Sequence, residues 1–253
     1  MTSSVRYKPA FIVFAFFFAV YSVFWYLNNP RLLVLLTIAI SVILILTLGS
    51  VFARESDRLK SDWVFLALLL SFSIIFCFIF PPFTVPDEGH HFFSTYWLVD
   101  SLPFNGRVID SDTFLVRDID LSLYKGPLTS NAISSASFNS IFQNFSIFGN
   151  GRLVPFSDFS FSIGSENVIA KIGSVVGLQI GLLLGLGAFP VFYMGRIGSA
   201  LYFCFCAFCA YRIAPKGKSI IAFVSLLPMT LHLAASYSYD SGIIAYSLIL
   251  FAC

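Results

Sequence analysis

The chain has 253 residues, of which 58% are hydrophobic and 11% are charged, and its mean hydropathy is +0.87. Soluble domains carry about a quarter charged residues, so this composition excludes an ordinary soluble enzyme, a disordered chain and a secreted disulfide scaffold. It predicts a polytopic membrane protein. The 15 basic and 13 acidic residues nearly cancel, so the positions of the charges are more informative than their sum.

Long apolar runs predict the membrane-spanning helices. The runs are long enough to cross about 30 Å of hydrocarbon and are apolar on every side, whereas barrel strands alternate. They predict an all-α helical bundle with spans at 9–27, 32–53, 63–83, 189–211 and 219–235 and a partial span at 243–253. Residues 1–62 are expected to form a two-span anchor with its cytoplasmic loop, and 63–253 the main membrane region. Because the last run is incomplete, the sequence leaves two alternatives open, a complete functional protein and a truncated or fragmentary product.

Basic residues in short loops predict the orientation of the spans. Arg54, Arg58 and Lys60 follow the second span, and Arg212, Lys216 and Lys218 follow the span at 189–211. These loops and the N-terminus are therefore expected in the cytoplasm. Residues 84–188 then form one long extracytoplasmic loop that holds most of the acids. Its apolar, glycine-rich run at 172–187 is too short for a span and predicts an interfacial or re-entrant helix that packs closely through its small residues.

The first polar motif is Pro86-Asp87-Glu88-Gly89-His90-His91, directly after the span at 63–83. Pro86 is expected to open a new helix, with Asp87 and Glu88 in its first turn. Both acids would share a helix face with His91. A carboxylate and an imidazole at this spacing bind a divalent cation or act as an acid–base pair. The alternative is that the two acids only cap a helix at the water boundary.

The second motif is Leu227-Pro228-Met229-Thr230 followed by Ser236-Tyr237-Ser238-Tyr239-Asp240. His232, Ser236 and Asp240 are four residues apart and would form one polar stripe on a continuous helix. Ionisable residues at membrane depth are usually functional, so His232 is either a ligand or a neutral histidine bonded within the bundle. Asp240 could also cap the final helix.

The third motif is Gly195-Arg196, at the outer start of the span at 189–211. A lone arginine at this depth either snorkels to the interface or holds a lipid phosphate through its planar fork.

These motifs, in this order, resemble a family of bacterial multispanning proteins of unknown function. Its hallmarks are a Pro-Asp-Glu-x-x-His motif after an early span, a later Gly-Arg span start and a Leu-Pro-Met-Thr…Ser-x-Ser-x-Asp segment, and the resemblance extends from about Trp63 to the end. That family in turn looks like the GT-C superfamily of membrane glycosyltransferases, which take sugars from polyprenyl-phosphate carriers. The expected fold is therefore GT-C-like but incomplete, with interfacial helices in the long outer loop.

The resemblance also implies roles for individual residues. Asp87 would be the general base or a metal-associated acid, supported by Glu88 and His91. Arg196 would contact the carrier phosphate and Asp240 would shape the acceptor or metal site; we add His232 as a substrate-binding candidate. The implied cofactor is a divalent cation, Mg²⁺ or Mn²⁺, near Asp87 and His91. The expected partners are the lipid bilayer, a polyprenyl-phosphate sugar donor and a glycan acceptor, with no nucleic acid.

The sequence therefore predicts a membrane glycosyltransferase, or the N-terminal part of one, in cell-envelope polysaccharide assembly. It would act at the extracytoplasmic face of the bacterial cytoplasmic (inner) membrane, as a multi-pass protein with a cytoplasmic N-terminus. The alternative is a non-catalytic membrane component, such as a transporter, a flippase-like subunit or an assembly partner. Transporters usually carry charges near the bilayer midplane, and the predicted spans have none there, which favours the enzyme.

Overall fold

The computed structural model describes residues 57–102, 105, 109, 113–125, 145–157 and 168–253. This part of the chain is mostly helical, and its helices are α1 (Asp57–Ile79), α2 (Glu88–Asp100), α3 (Asp118–Lys125), α4 (Ile172–Leu183), α5 (Ala188–Ile213), α6 (Lys218–Ser225), α7 (Pro228–Ala234) and α8 (Asp240–Ala252). Two strands, β1 (Thr113–Arg117) and β2 (Leu153–Ser157), accompany them. The predicted spans at 9–27 and 32–53 lie outside the described residues.

The chain divides into two compact units, Met1–Ser71 and Phe72–Cys253. In the first unit, the described residues form the beginning of α1. The second unit contains the end of α1 and all the other described elements.

Two described helices are long and apolar enough to span a membrane: the part of α1 at Asp62–Ile79 and the whole of α5, Ala188–Ile213. They correspond to the predicted spans at 63–83 and 189–211. The first helix ends at Ile79 because Pro81 and Pro82 follow. Proline has no N–H to donate and disfavours helical geometry in the residue before it.

The segment predicted as a single span at 219–235 is not one continuous helix, because it forms two short helices, α6 and α7. Leu227 between them has extended geometry, with φ −60° and ψ 135°, and Pro228 occupies the first turn of α7. The proline ring clashes with a helical residue before it, so the helix cannot continue through Leu227. At 8 and 7 residues, neither helix is long enough to cross the hydrocarbon core.

His232, Ser236 and Asp240 do not form the polar stripe expected on a continuous helix, because the helix does not continue between them. The α7 helix ends at Ala234 and α8 begins at Asp240. In the turn between them the Ser236 hydroxyl donates to Leu233 O (2.8 Å) and accepts from Ser238 N (3.2 Å). Serine side chains compete in this way with helical hydrogen bonds. The final helix therefore begins three residues before the predicted 243.

The helices α4 and α5 form a hairpin around a turn in which Gly185 has φ +62°. A Cβ atom at Gly173 would lie 2.6 Å from Gly198 O, and one at Gly177 would lie 3.1 Å from the Gly198 Cα. Only glycine permits backbones to approach this closely. The close helix contact predicted from the small residues of 172–187 is present, and α4, at 12 residues or about 18 Å, is shorter than a membrane span.

The strands β1 and β2 pair antiparallel, from Thr113 opposite Ser157 to Arg117 opposite Leu153. The sequence analysis predicts no strand in this loop. Phe156 of β2 stacks on Phe93 of α2, with ring centroids 4.2 Å apart. This contact fixes the sheet on α2.

An aromatic core supports the segment that carries the first motif. Phe83, which follows α1, packs against Phe192 of α5 with ring centroids 4.8 Å apart and against Phe92 of α2 at 5.5 Å. Phe92 also meets Tyr237 edge-on at 5.2 Å. The core therefore joins the end of α1, α2, α5 and the turn before α8.

Candidate functional site

The first motif lies in a tight reversal between α1 and α2. The Thr84 hydroxyl donates to Pro81 O (2.7 Å), and Glu88 N donates to Val85 O (3.2 Å). Phe83 and Asp87 both have left-handed backbone geometry, with φ 61° and 56°. Such geometry is uncommon for residues other than glycine and is found where the surrounding structure over-determines it.

Glu88 is the first residue of α2, and its carboxylate is buried against Arg196 of α5. Arg196 donates from Nε to Glu88 Oε1 (2.7 Å) and from Nη2 to Oε2 (2.5 Å), and both side chains are 0% exposed. The backbone N–H of Phe83 also donates to Oε2 (3.0 Å). Two parallel bonds of this kind form the strongest and most specific type of ion pair.

The remaining donors of Arg196 bind the carboxyl end of α1 and the residues just after it. Nη1 donates to Cys77 O (2.9 Å) and Phe80 O (2.5 Å), and Nη2 donates to Pro81 O (3.1 Å). The last carbonyls of a helix have no intrahelical partner and carry partial negative charge. All five N–H groups of Arg196 therefore have partners, and a phosphate could bind only by displacing one of them.

Asp87 occupies the position just before α2, and its carbonyl accepts from His91 N (3.0 Å). Its side chain is exposed and makes no capping hydrogen bond. Pro86, expected to open this helix, precedes it instead. The two acids of the motif therefore differ: Glu88 is held by a buried ion pair, and Asp87 presents its carboxylate to the surroundings.

His91 lies one turn along α2 and contacts the turn before α8. Its ring meets Tyr239 edge-on, with centroids 5.3 Å apart, and Lys171 Nζ lies 3.2 Å from its Nδ1. The buried Lys171 ammonium also donates to the Ser94 hydroxyl. A metal-binding histidine normally donates its other ring N–H to an acceptor. The Lys171 ammonium beside Nδ1 is a hydrogen-bond donor, not an acceptor.

Asp240 is the first residue of α8 and is half-buried. Its Oδ2 accepts from the Ser238 hydroxyl (3.1 Å), and its backbone N–H donates to the hydroxyl oxygen of Ser238 (3.2 Å). The structure thus brings the first and second motifs together, because His91 contacts Tyr239, the neighbour of Asp240 in the sequence. Within the described ranges no group of three or more His, Cys, Asp and Glu residues is arranged to hold a metal ion.

His232 is half-buried in α7 and its ring meets Phe80 edge-on, with centroids 4.5 Å apart. The backbone carbonyl of Phe80 accepts from Arg196. His232 and the Arg196–Glu88 pair therefore both contact Phe80, one through its ring and the other through its carbonyl. All three motifs therefore meet around the end of α1.

A second buried polar cluster, formed by Tyr96, Arg117 and Asp120, is not among the candidate sites predicted from the sequence. Arg117 donates from Nε to Asp120 Oδ2 (2.7 Å) and from Nη2 to Oδ1 (2.8 Å), and the Tyr96 hydroxyl donates to Oδ2 (2.7 Å). Burial, and then the nearby Asp120 carboxylate, raise the pKa of Tyr96 well above its usual value. Tyr96 therefore remains a proton donor. The available signal was the presence of two opposite charges, Arg117 and Asp120, three residues apart.

The mostly helical fold and its two apolar helices of spanning length are consistent with a helical membrane protein. Residues 70–253 match the family described as Predicted membrane protein (DUF2142), so the chain belongs to this family of membrane proteins of unknown function. No curated protein and no solved structure matches the chain.

Proposed function

We propose that this protein is a membrane glycosyltransferase of the GT-C type, or a part of one, that uses a polyprenyl-phosphate-linked sugar in cell-envelope polysaccharide assembly. The observation that carries the proposal is the exposed Asp87 carboxylate, held in left-handed geometry just before α2, while its neighbour Glu88 is buried. The resemblance of the three motifs to GT-C enzymes supplies the reaction class.

Asp87 acts as the general base in this proposal. The acceptor hydroxyl loses its proton as its oxygen bonds to the anomeric carbon of the sugar, and an exposed carboxylate can accept that proton. The bond from that carbon to the phosphate oxygen breaks in the same reaction, and the polyprenyl phosphate leaves with the bonding electrons. Positioning the base on strained backbone that the surrounding structure enforces reduces the reorganisation needed during the reaction.

Glu88 and Arg196 position Asp87 rather than react. Their ion pair joins α2 to α5, and the carbonyls of Cys77, Phe80 and Pro81 add the end of α1. The segment that carries Asp87 is therefore held at both of its ends. His91 contacts Tyr239, next to Asp240, and so joins α2 to the start of α8. His232 remains a substrate-binding candidate beside Phe80.

The predicted Mg²⁺ or Mn²⁺ ion fits some of these residues better than others. Carboxylate oxygens such as those of Asp87 and Asp240 are the ligands that these cations prefer. His91 does not fit, because the Lys171 ammonium lies beside its Nδ1. We therefore assign no step of the reaction to a metal held by His91.

The distribution of charge along α5 supports a site on the extracytoplasmic side. Arg196 and its partners lie near the start of α5, and the basic residues Arg212, Lys216 and Lys218 lie at or beyond its end. The 26 residues of α5 extend about 39 Å, enough to cross the hydrocarbon core. Short loops rich in Lys and Arg stay in the cytoplasm, so we place Asp87 at the opposite face of the inner membrane.

The proposal is tested by complementing a gene deletion and measuring the sugar composition of the envelope polysaccharide. The wild-type gene should restore the composition, and Asp87→Asn should not, although the variant reaches the membrane in equal amount. The matched control is Asp118→Asn, because Asp118 is another exposed acid, and its Oδ1 accepts a backbone N–H from Arg152 (3.0 Å). Restoration by Asp87→Asn would instead favour a non-catalytic membrane component.

A further inference from the structure

A polar cavity of about 290 Å³ lies outside both candidate spans. It is bordered by the C-terminal part of α4, by Asn105 and by the Gly149-Asn150-Gly151 turn that precedes β2. Gly149, Gly151 and Gly185 are among the residues that line it. Neither Asp87 nor any other residue of the first motif lines it.

The charge of the cavity is balanced. Among the described residues that line it, Arg117 is the charged one, and the bidentate bond to Asp120 neutralises it. Arg117 Nη1 also donates to the carbonyls of Gly149 (3.0 Å) and Leu186 (2.7 Å). An anionic ligand such as a phosphate binds most strongly to an unpaired cation. The described lining holds none, which favours a neutral ligand.

Two amide side chains set the hydrogen-bonding pattern. Asn105 Nδ2 donates to Val99 O (2.7 Å) and to Gln179 Oε1 (2.8 Å). These bonds orient both amides. Asn105 Oδ1 then serves as an acceptor, and Gln179 Nε2 as a donor, for other partners. Asn150, which is exposed, adds a second donor and acceptor at the rim.

We propose that this cavity binds one neutral sugar ring of a glycan. Each sugar hydroxyl donates one hydrogen bond and accepts others, so adjacent hydroxyls need donors and acceptors side by side, as the Asn105 and Gln179 amides provide. Leu182 and Leu153 supply apolar contact for the C–H face of the ring. The volume matches one ring rather than an oligosaccharide.

The choice of a glycan as ligand rests on the proposed function, and the cavity would hold a unit of the acceptor away from the reacting sugar. Asn105 is bonded to the last turn of α2, whereas Asp87 precedes its first turn. The 13 residues of α2 extend about 20 Å. The cavity is therefore a subsite for an extended acceptor.

The test is saturation-transfer NMR on the full chain in nanodiscs, with glucose, mannose and N-acetylglucosamine as probes and sorbitol as the acyclic control. At least one pyranose should bind the wild type and Asp87→Asn equally. Gln179→Leu should weaken that binding about tenfold, the equivalent of one or two net hydrogen bonds. Asn150→Ala, at the exposed rim, should weaken sugar binding as well. It keeps the test decisive if a melting curve shows that the Gln179→Leu variant does not fold.

Binding by none of the three sugars, or equal binding by wild type, Gln179→Leu and Asn150→Ala, would overturn the inference. These results are independent of the proposed function, because they do not require transfer. If the wild type binds a sugar in the cavity but Asp87→Asn still restores envelope polysaccharide, the proposed function fails while the subsite stands.

Discussion

Arg196 and Glu88 form a bidentate ion pair with Nε–Oε1 and Nη2–Oε2 distances of 2.7 and 2.5 Å, and neither side chain is exposed. The two residues are 108 positions apart in the chain, and they join the start of α2 to α5. Arg196 also binds carbonyls at the end of α1. One side chain thereby connects three helices at the point where Asp87 is presented.

Replacing Arg196 with Met should destabilise the protein by about 3–5 kcal/mol, because Glu88 would remain buried without its partner. The change is measured as a loss of thermal stability of the purified protein in detergent. The double variant Arg196→Met/Glu88→Leu should recover part of the loss, since no buried charge then remains unpaired. Arg196→Lys should not substitute, because an ammonium lacks the planar fork. An Arg196→Met variant as stable as the wild type would contradict this account.

The left-handed geometry of Asp87 predicts an unusual order of stability. Asp87→Ala should be about 1 kcal/mol less stable than Asp87→Gly, because alanine is strained at φ 56° and glycine is not. In an ordinary helix the order is the reverse. Melting temperatures of the two variants decide the matter, and a more stable alanine variant would mean that the backbone is not held in this conformation.

Tyr96→Phe should lower stability by about 1–3 kcal/mol, because it leaves one oxygen of the buried Asp120 without its hydroxyl donor. The matched control is Tyr124→Phe. Tyr124 contacts Phe83 and Phe93 through its ring, at 5.3 and 4.9 Å between centroids, and phenylalanine preserves those contacts. Denaturation curves that are equally shifted for both variants would show that the Tyr96 hydroxyl makes no special contribution.

Gly177→Ala should weaken the α4–α5 hairpin by about 1–3 kcal/mol, the usual penalty of overpacking. A Cβ at this position would lie 2.9 Å from the Met194 carbonyl carbon and 3.1 Å from the Gly198 Cα, and backbone atoms cannot easily move away. Gly181→Ala is the control, since its Cβ would lie 3.3 Å from the nearest atoms of Val191. Thermal unfolding of both variants should rank Gly177→Ala as the less stable.

The sequence predicts the features that follow from composition and local chemistry. The apolar runs locate α1 and α5, and Pro81 and Pro82 explain where the first of them ends. Pro228 also indicated a helix break, yet the uniformly apolar run around it favoured one long helix. The break at Leu227 shows that a restricted backbone overrides hydropathy.

The partners of individual residues could not be predicted in the same way. Nothing local relates Glu88 to Arg196, because they meet only when α2 and α5 pack. Asp87 and Glu88 are adjacent acids that look equivalent in the sequence. In the fold, the side chain of Glu88 lies in the core and that of Asp87 is exposed. Lys171 stands alone in the sequence, and only the fold places it beside His91.

The most direct test of the account is transfer of a labelled sugar from a polyprenyl-phosphate donor to a glycan acceptor by the purified, membrane-reconstituted protein. Wild type and Asp118→Asn should catalyse transfer, whereas Asp87→Asn should retain the wild-type melting temperature and lose transfer by a factor of at least about 100, as expected when a general base is removed. Transfer by Asp87→Asn at the wild-type rate would contradict the central claim that Asp87 is the catalytic base.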